Sequence, residues 1–147
     1  MAEETGDTEL IVAALLHDIG HVLGLEDKNA EKMADCGVMH HEKIGADYAV
    51  NEMCLPDRIG RLIHAHVGAK RYLCWKNKAY YKKLSDASKT TLGFQGGPMK
   101  KKEALAWEAD PDFKNYLLMR SWDEAAKDPD AKVPRFESYL ERLYSIM

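Results

Sequence analysis

The sequence predicts an all-α fold, and three observations support that prediction. Apolar residues recur at intervals of three and four residues along most of the chain, which is the period of a helix. No segment alternates cleanly between apolar and polar residues, as a half-buried strand would. Start and stop signals, among them Pro56 and the turn at residues 95–98, separate the periodic segments. A chain of 147 residues suits one domain, so residues 1–147 are expected to fold as a unit.

The first predicted helix covers residues 8–23, with Asp7 or Thr8 as its N-cap and Gly24 as its C-terminal stop. Residues 25–37 are polar and predict a connection to the next helix. The apolar positions of the first helix are Ile11, Ala14, Leu15 and Leu23.

Two further helices are predicted after this connection. The second predicted helix covers residues 39–54 and has an apolar side that includes Ile44, Tyr48 and Ala49. The third begins at Pro56, whose missing N–H group is harmless in a first turn, and extends to about Trp75.

Four more helices complete the prediction. The fourth ends at the turn of residues 95–98, which contains two glycines and a proline. The last carries an apolar stripe of Phe136, Leu140, Leu143, Tyr144 and Met147. The predicted ranges are 78–92, 100–108, 111–126 and 136–147.

The composition is that of an ordinary globular protein. Hydrophobic residues make up 46% of the chain and charged residues 31%. The net charge of −3 gives no general reason to bind nucleic acid or an anionic membrane. Two lysine-rich segments, residues 76–83 and 100–102, leave nucleic-acid binding as the alternative to a solvated face.

Compartment signals indicate a cytoplasmic protein. No apolar run approaches the roughly 20 residues that a membrane helix needs. The acidic residues 1–10 do not resemble a secretory signal. Cys36, Cys54 and Cys74 are odd in number and lack a CxxC spacing, which indicates buried, reduced thiols.

The first helix carries ionisable residues inside an apolar segment, AALLHDIGH at 13–21. His17 and His21 are four residues apart, and Asp18 and His21 are three apart, so helical spacing brings these side chains together. Burying such groups is costly unless a metal or an internal partner compensates. The segment therefore predicts either a metal site or an internally paired His–Asp cluster.

Periodicity separates the histidines of the next two helices. His41 lies on the apolar side of the second helix, whereas His40 is expected to be exposed. His66 continues the apolar stripe of the third helix, whereas His64 is expected to be solvated. Three inward histidines and an aspartate on three consecutive helices favour a metal ion over isolated core histidines.

The helix at 111–126 places Arg120 and Asp123 near its apolar face. Asp123 is either a further metal ligand, with Arg120 as an anion contact one turn away, or one half of an Arg–Asp salt bridge. The spacing leaves both alternatives open.

Several longer motifs accompany the His17–Asp18 pair: HHEKIGADYA at 40–49, HVGAKRYL at 66–73, LSDASKTTLGFQGGPM at 84–99 and RSWDE at 120–124. With them, the chain resembles the HD-domain metalloprotein superfamily, and within it the PhnZ-type branch of mixed-valent di-iron oxygenases. The resemblance extends from about Glu9 to the C-terminal helix, which is most of the chain.

The resemblance implies a helical bundle around a dinuclear site that holds two iron ions, Fe(II) and Fe(III), with O₂ as co-substrate. It implies cleavage of the C–P bond of a hydroxylated aminoethylphosphonate to phosphate and an amino acid such as glycine. The implied iron ligands are His17, Asp18, His41, His66 and Asp123, with Asp18 bridging. The implied substrate-binding residues are His21, Lys70, Ser88 and Arg120, of which His21 and Lys70 are also implied in catalysis.

Two other functions stay open at this point: a metal-dependent phosphohydrolase, which is the commonest chemistry of HD proteins, and a non-catalytic metal-binding domain. A small phosphonate is the expected partner, and neither nucleic acid nor a membrane is expected. The resemblance also implies an upstream helix with a further histidine ligand. This chain is therefore expected to lack that ligand and part of the active-site wall.

Overall fold

The computed structural model describes residues 1–126 and 130–147, and the regular elements of those ranges are helical. One isolated antiparallel bridge joins Lys32 and Val38. The prediction of an all-α fold is confirmed. The helices are α1 (Thr8–Leu16), α2 (Ile19–Glu26), α3 (His41–Asn51), α4 (Asp57–Lys76), α5 (Lys78–Lys83), α6 (Asp86–Phe94), α7 (Lys101–Glu108), α8 (Phe113–Ala125) and α9 (Leu140–Tyr144), with two short 3₁₀ segments at Ala2–Thr5 and Phe136–Tyr139.

The long helix α4 lies at the centre of the fold, because α1, α3 and α8 all pack against it. Ile59, Leu62 and Ile63 of α4 are completely buried in the main apolar core. Burial of each such side chain contributes about 1.5–3 kcal/mol. Helices α1 and α8 add Leu10, Val12, Ala13, Leu16, Tyr116 and Met119 to the same core.

The first predicted helix is interrupted, so the prediction of one continuous helix over 8–23 is wrong. His17 and Asp18 form a turn between α1 and α2. The Nδ1 atom of His17 bonds to the carbonyl of Ala14 at 2.8 Å, and Asp18 precedes α2 with a non-helical backbone (φ −101°, ψ 7°). The His–Asp pair is therefore presented by a turn rather than by a continuous helix.

Gly24 does not end the helix as predicted, because α2 continues to Glu26. A Cβ atom at Gly24 would lie only 2.5 Å from Cγ1 of Val38, in the connection that follows α2. The missing side chain therefore allows α2 to lie directly against that connection.

The second predicted helix also differs at its start. His40 adopts the left-handed conformation (φ 57°), so α3 begins at His41. Tyr48 was predicted on the apolar side but is 36% exposed, because the buried face of α3 passes through Ala46 and Ala49. Helices α4, α7 and α8 agree with their predicted ranges to within two residues at each end.

Two later predicted helices also differ from the structure: one is divided into two helices, and the other ends early. The fourth predicted helix divides into α5 and α6, because the Ser85 hydroxyl accepts the backbone N–H of Ser88 (3.2 Å) and starts a new helix. The C-terminal segment is helical only as far as Tyr144, and its apolar stripe is largely not buried. Its exposed members are Phe136, Tyr144 and Met147, whereas Leu143 is buried.

Within the part of the chain that the structure describes, one stretch, Thr8–Glu26, is long and apolar enough to cross a membrane, with a mean hydropathy of 1.4. The prediction that no such run exists is therefore wrong on that criterion. One such stretch is weak evidence for a membrane-spanning helix, because the core helices of soluble proteins meet the same criterion. Here the stretch is interrupted at His17–Asp18, and four of its apolar side chains lie in the main core.

Arg58 connects the starts of α1 and α8 to α4. Its Nη1 atom donates to Asp7 (3.1 Å) and Glu9 (3.0 Å), and its Nε atom donates to Asp112 (3.0 Å). The hydrogen bond from Arg58 lowers the pKa of Asp7. Partial burial would raise the pKa of Asp112, but Arg58 outweighs it and lowers that pKa as well. Both carboxylates are therefore ionised at neutral pH.

Replacing Arg58 by glutamine should lower the free energy of unfolding by about 1–3 kcal/mol at pH 7. The charged hydrogen bonds of Arg58 are lost, and its partly buried carboxylate partners are left without a cation. Since the pKa values of Asp7 and Asp112 are lowered from 3.8, this difference should shrink as the pH falls below 3.8. Urea unfolding at pH 7 and pH 3 measures both effects. Arg61→Gln is the matched control, because Arg61 is exposed. An equal loss of unfolding free energy in both variants would contradict the prediction.

Candidate metal centre

Four of the five predicted metal ligands converge where the α1–α2 turn meets α3 and α4. The carboxylate of Asp18 lies 3.3 Å from Nε2 of His17, 3.8 Å from Nε2 of His41 and 3.7 Å from Nε2 of His66. Within the described residues, the possible ligand atoms of Asp18, His41 and His66 all lie within 4.8 Å of one another. The turn and the two helices therefore form one cluster of nitrogen and oxygen donors.

The hydrogen bonds of the three imidazoles determine which nitrogen faces the cluster. The Nδ1 atoms of His17, His41 and His66 bond to backbone carbonyls three residues earlier, at 2.8, 3.2 and 2.6 Å. A carbonyl accepts, so each Nδ1 carries the hydrogen and each Nε2 of a neutral ring presents its lone pair. All three Nε2 atoms lie within 3.8 Å of the Asp18 carboxylate.

This arrangement fits a bound cation. The Nε2 atoms of His41 and His66 are 3.0 Å apart, so two lone pairs face each other. The buried Nε2 of His17 has no hydrogen-bond partner among the residues that the structure describes. A metal ion would satisfy all three nitrogens, and the Nδ1–H bonds are the contacts that commonly orient histidine ligands.

The electrostatics of the cluster also suit metal ligands, which bind as neutral imidazole and ionised carboxylate. Burial, together with the neighbouring His17, lowers the pKa of His66 to about 3. Burial and the adjacent His21 lower the pKa of His41. Partial burial would raise the pKa of Asp18, but the adjacent His17 imidazole holds that pKa well below its usual range.

His17 differs from the other two imidazoles. Burial opposes its charged form, but the neighbouring Asp18 carboxylate outweighs that effect and raises the pKa of His17. The Asp18 carboxylate therefore favours positive charge at this end of the cluster. Imidazole and carboxylate donors suit non-haem iron, manganese or zinc.

The fifth predicted ligand, Asp123, lies at the edge of the cluster in a salt bridge. The Nη1 atom of Arg120 donates to the Asp123 carboxylate, and Arg120 also donates through Nε to Tyr80 (2.9 Å) and Glu124 (3.1 Å). The salt-bridge alternative from the sequence is thus present. Asp123 nevertheless lines the same cavity as Asp18, so its carboxylate remains a candidate ligand.

A cavity of about 300 Å³ borders the cluster, and all four predicted substrate-binding residues line it. Lys70 is buried and its Nζ atom donates to the Thr91 hydroxyl at 2.9 Å. The Ser88 hydroxyl accepts from Ser85 at 3.0 Å, which leaves its own hydrogen to donate. The lining residues with ionisable or hydroxyl groups include Asp18, His21, His41, His66, Lys70, Ser88, Thr91, Arg120 and Asp123.

His21 has the opposite tautomer to the three clustered histidines. The backbone N–H of Val38 donates to its Nδ1 atom at 3.1 Å, so the hydrogen of the neutral ring lies on Nε2. The ring stacks on His41 with 3.8 Å between centroids. His21 is therefore arranged as a hydrogen-bond donor beside the cluster.

Sequence reasoning missed several residues of this cavity. Thr91 and Gln95 follow Ser88 at helical spacing, so the periodicity of α6 could have identified them. Tyr80 does not line the cavity but accepts a hydrogen bond from Arg120, which does; it belongs to the lysine-rich segment 76–83, and no sequence signal distinguishes it. Asp35 and Cys36 belong to the connection that was assigned only as polar.

His40 and His64 are exposed, as predicted, and lie outside the cluster. A larger groove of about 770 Å³ between α3, α4 and α7 includes His64 but none of the clustered ligands. The smaller cavity is the better candidate site, because the donor groups converge there.

Replacing Gly37 by alanine should displace His21 without disturbing the fold elsewhere. Gly37 has φ +108°, and a Cβ atom there would lie 2.5 Å from Cε1 of His21. Gly97 (φ +72°) is the matched control, because nothing lies within 4 Å of its Cβ position. Both variants should lose about 1–2 kcal/mol of stability from backbone strain.

NMR of the imidazole nitrogens measures the local effect. Only the Gly37→Ala protein should show a changed His21 resonance, because only there does the new methyl group meet the ring. Unchanged His21 resonances in that variant would contradict the predicted contact.

Comparison with known proteins places this chain in a family. The model of the HD domain matches residues 1–109. A glycine-betaine-forming dioxygenase of 1-hydroxy-2-(trimethylamino)ethylphosphonate from Leisingera caerulea is 39% identical over 137 residues, covering 92% of this chain and 68% of that protein.

Two other relatives have similar identities. A hydroxymethylphosphonate dioxygenase from Gimesia maris is 37% identical over 139 residues, which cover 95% of this chain and 68% of that protein. An uncharacterized protein of Acanthamoeba polyphaga mimivirus is 40% identical over 128 residues, covering 86% of this chain and 58% of that protein. The resemblance that the motifs indicated is confirmed, and the chain belongs to the HD-domain family.

Proposed function

We propose that this protein is a metal-dependent oxygenase that cleaves the carbon–phosphorus bond of a hydroxylated phosphonate. One observation carries the proposal: a cluster of neutral imidazoles and one carboxylate borders a cavity that also contains Lys70 and Arg120. A metal centre beside two cationic side chains suits a small dianionic substrate. The two relatives named as phosphonate dioxygenases support the same chemistry.

The proposed metal ligands divide into two sets that share Asp18. His41 and His66 would hold one ion with Asp18, and His17 and Asp123 would hold a second. A metal held by these residues would supply the activation of O₂ and of the substrate hydroxyl. Two iron ions are the proposed occupants, in keeping with the nitrogen and oxygen donors.

The cavity residues would bind and orient the phosphonate. Lys70 is a buried cation in the cavity wall, and Arg120 offers guanidinium donors that suit phosphonate oxygens. His21 donates through Nε2–H, and Ser88 through its hydroxyl. These groups hold the substrate against the metal cluster and neutralise its charge, so His21 and Lys70 also bear on the reaction itself.

The proposed substrate is a hydroxylated aminoethylphosphonate, with phosphate and an amino acid such as glycine as products. Hydroxymethylphosphonate is a second candidate, because the Gimesia maris relative is named for it. Residues 1–147 are proposed to form a single HD domain, and the shared core of α1, α3, α4 and α8 supports this. A cytoplasmic location belongs to the same proposal.

The test is an assay of phosphate and glycine release from 1-hydroxy-2-aminoethylphosphonate by the iron-supplied protein, in air and under argon. Release of both products in air but not under argon is expected. Release from hydroxymethylphosphonate alone would identify the second candidate substrate. Oxygen-independent phosphate release from a phosphate monoester would identify a phosphohydrolase, and metal binding without release of either product would identify a non-catalytic domain.

A further inference from the structure

Among the residues that the structure describes, three carboxylates line the cavity, and one of the three has no partner there. Asp18 contacts the clustered imidazoles, and Asp123 pairs with Arg120. Asp35 forms no hydrogen bond or ion pair with any residue that the structure describes. One carboxylate in a cavity that contains Lys70 and Arg120 is therefore available to a positive group of a ligand.

The loop that carries Asp35 is held in place on both sides. Met33 and Val38 are almost completely buried, at 2% and 1% exposure. Within the loop, the N–H of Cys36 donates to Met33 (2.9 Å), and the N–H of Met33 donates to Gly37 (2.8 Å). Asp35 is thus presented by a tight turn between two anchors, so its backbone position is defined.

The same loop contacts His21, which we propose as a phosphonate donor. Val38 donates to the His21 ring at 3.1 Å, and a Cβ atom on Gly37 would touch that ring. Asp35 is two residues from Gly37, a span of at most about 7 Å. The carboxylate therefore lies within the reach of a ligand whose other end is bound by His21.

We propose that Asp35 binds the cationic nitrogen of a zwitterionic phosphonate while Lys70 and Arg120 bind its anionic end. This inference rests on the proposed function and adds how the positive end of the substrate is recognised. It also favours an amino-substituted substrate over hydroxymethylphosphonate, because the latter has no positive group for Asp35. Asp35 is exposed, so its effect on affinity is expected to be moderate.

Two phosphonates of nearly equal size test the proposal. 2-Aminoethylphosphonate carries an ammonium group where n-propylphosphonate carries a methyl group. Calorimetry of the metal-loaded protein under argon gives the dissociation constant of each for wild type, Asp35→Asn and Glu52→Gln. Glu52 is an exposed carboxylate outside the cavity, so its replacement is a matched loss of one negative charge.

The ratio of the two dissociation constants is the decisive quantity. Asp35→Asn should shift it by about three- to tenfold against 2-aminoethylphosphonate, with n-propylphosphonate little changed. Glu52→Gln should leave it unaltered, and Asp35→Lys should shift it further than Asp35→Asn.

Other outcomes would overturn the proposal. Equal weakening of both ligands would show that Asp35 acts only through its loop, and an unchanged ratio would show no role in recognition. Either result leaves the proposed function intact. If wild-type protein binds neither ligand, the proposed function fails, and the assignment of Asp35 fails with it.

Discussion

Replacing His66 by alanine should remove most of the metal from the purified protein. His66 is buried, its Nδ1–H is held by the Ile63 carbonyl, and its Nε2 lies 3.0 Å from that of His41. Mutations of residues that only orient ligands weaken metal binding by about 10- to 100-fold, so loss of a ligand should cost at least about 100-fold. Plasma emission spectrometry after gel filtration measures the metal content.

His64→Ala is the matched control, because His64 lies two residues earlier on α4 and is exposed. It should retain its metal, as should His40→Ala. Asp18→Asn should lose metal like His66→Ala, and its side chain is 54% exposed, so a folding defect is less of a concern. Metal loss in His64→Ala together with full occupancy in His66→Ala would show that the cluster is not the metal site.

Replacing Lys70 by methionine should lower phosphonate turnover by about 100- to 1,000-fold, which is typical when one preorganised electrostatic donor is removed. Lys70 is 5% exposed, lines the cavity and is oriented by Thr91. Methionine keeps most of the side-chain volume, so the metal content should remain that of wild type. Initial rates of phosphate release across substrate concentrations give kcat and KM separately.

Lys76→Met is the control on the same helix. Lys76 is exposed and pairs with Glu108 at 3.0 Å, outside the cavity, so this variant should keep wild-type turnover. Unchanged turnover in Lys70→Met would contradict the proposed binding of the phosphonate. Loss of metal from Lys70→Met would show that the lysine stabilises the metal cluster instead.

Helical periodicity was sufficient to orient most of the site histidines. His41 and His66 are each 4% exposed, and His40 and His64 are exposed, as the three- and four-residue spacings predicted. The signal was strong because α4 continues over 20 residues, so its apolar stripe is well defined. For His40 the prediction was right although the residue lies outside the helix, in the left-handed conformation.

Interruptions of helices were not predictable by the same means. The apolar pattern continues through His17 and Asp18, so nothing in the spacing of residues 8–23 indicated the turn there. Ser85 is a good N-cap, but its signal lay inside a segment with continuous helical character. Backbone breaks of this kind depend on local hydrogen bonds that compete with the helix.

The sequence by itself determined the all-α class, the buried faces of the central helices and the residue types of the site, because these follow from local spacing and burial. Only the tertiary structure decided how the site is assembled. The tautomer of His21 depends on Val38, which is 17 residues away, and the position of Asp35 depends on how its loop lies against α2. Helices α3 and α4 bring His41 and His66 together across 25 residues. Such contacts depend on the packing of distant segments, to which helical periodicity is insensitive.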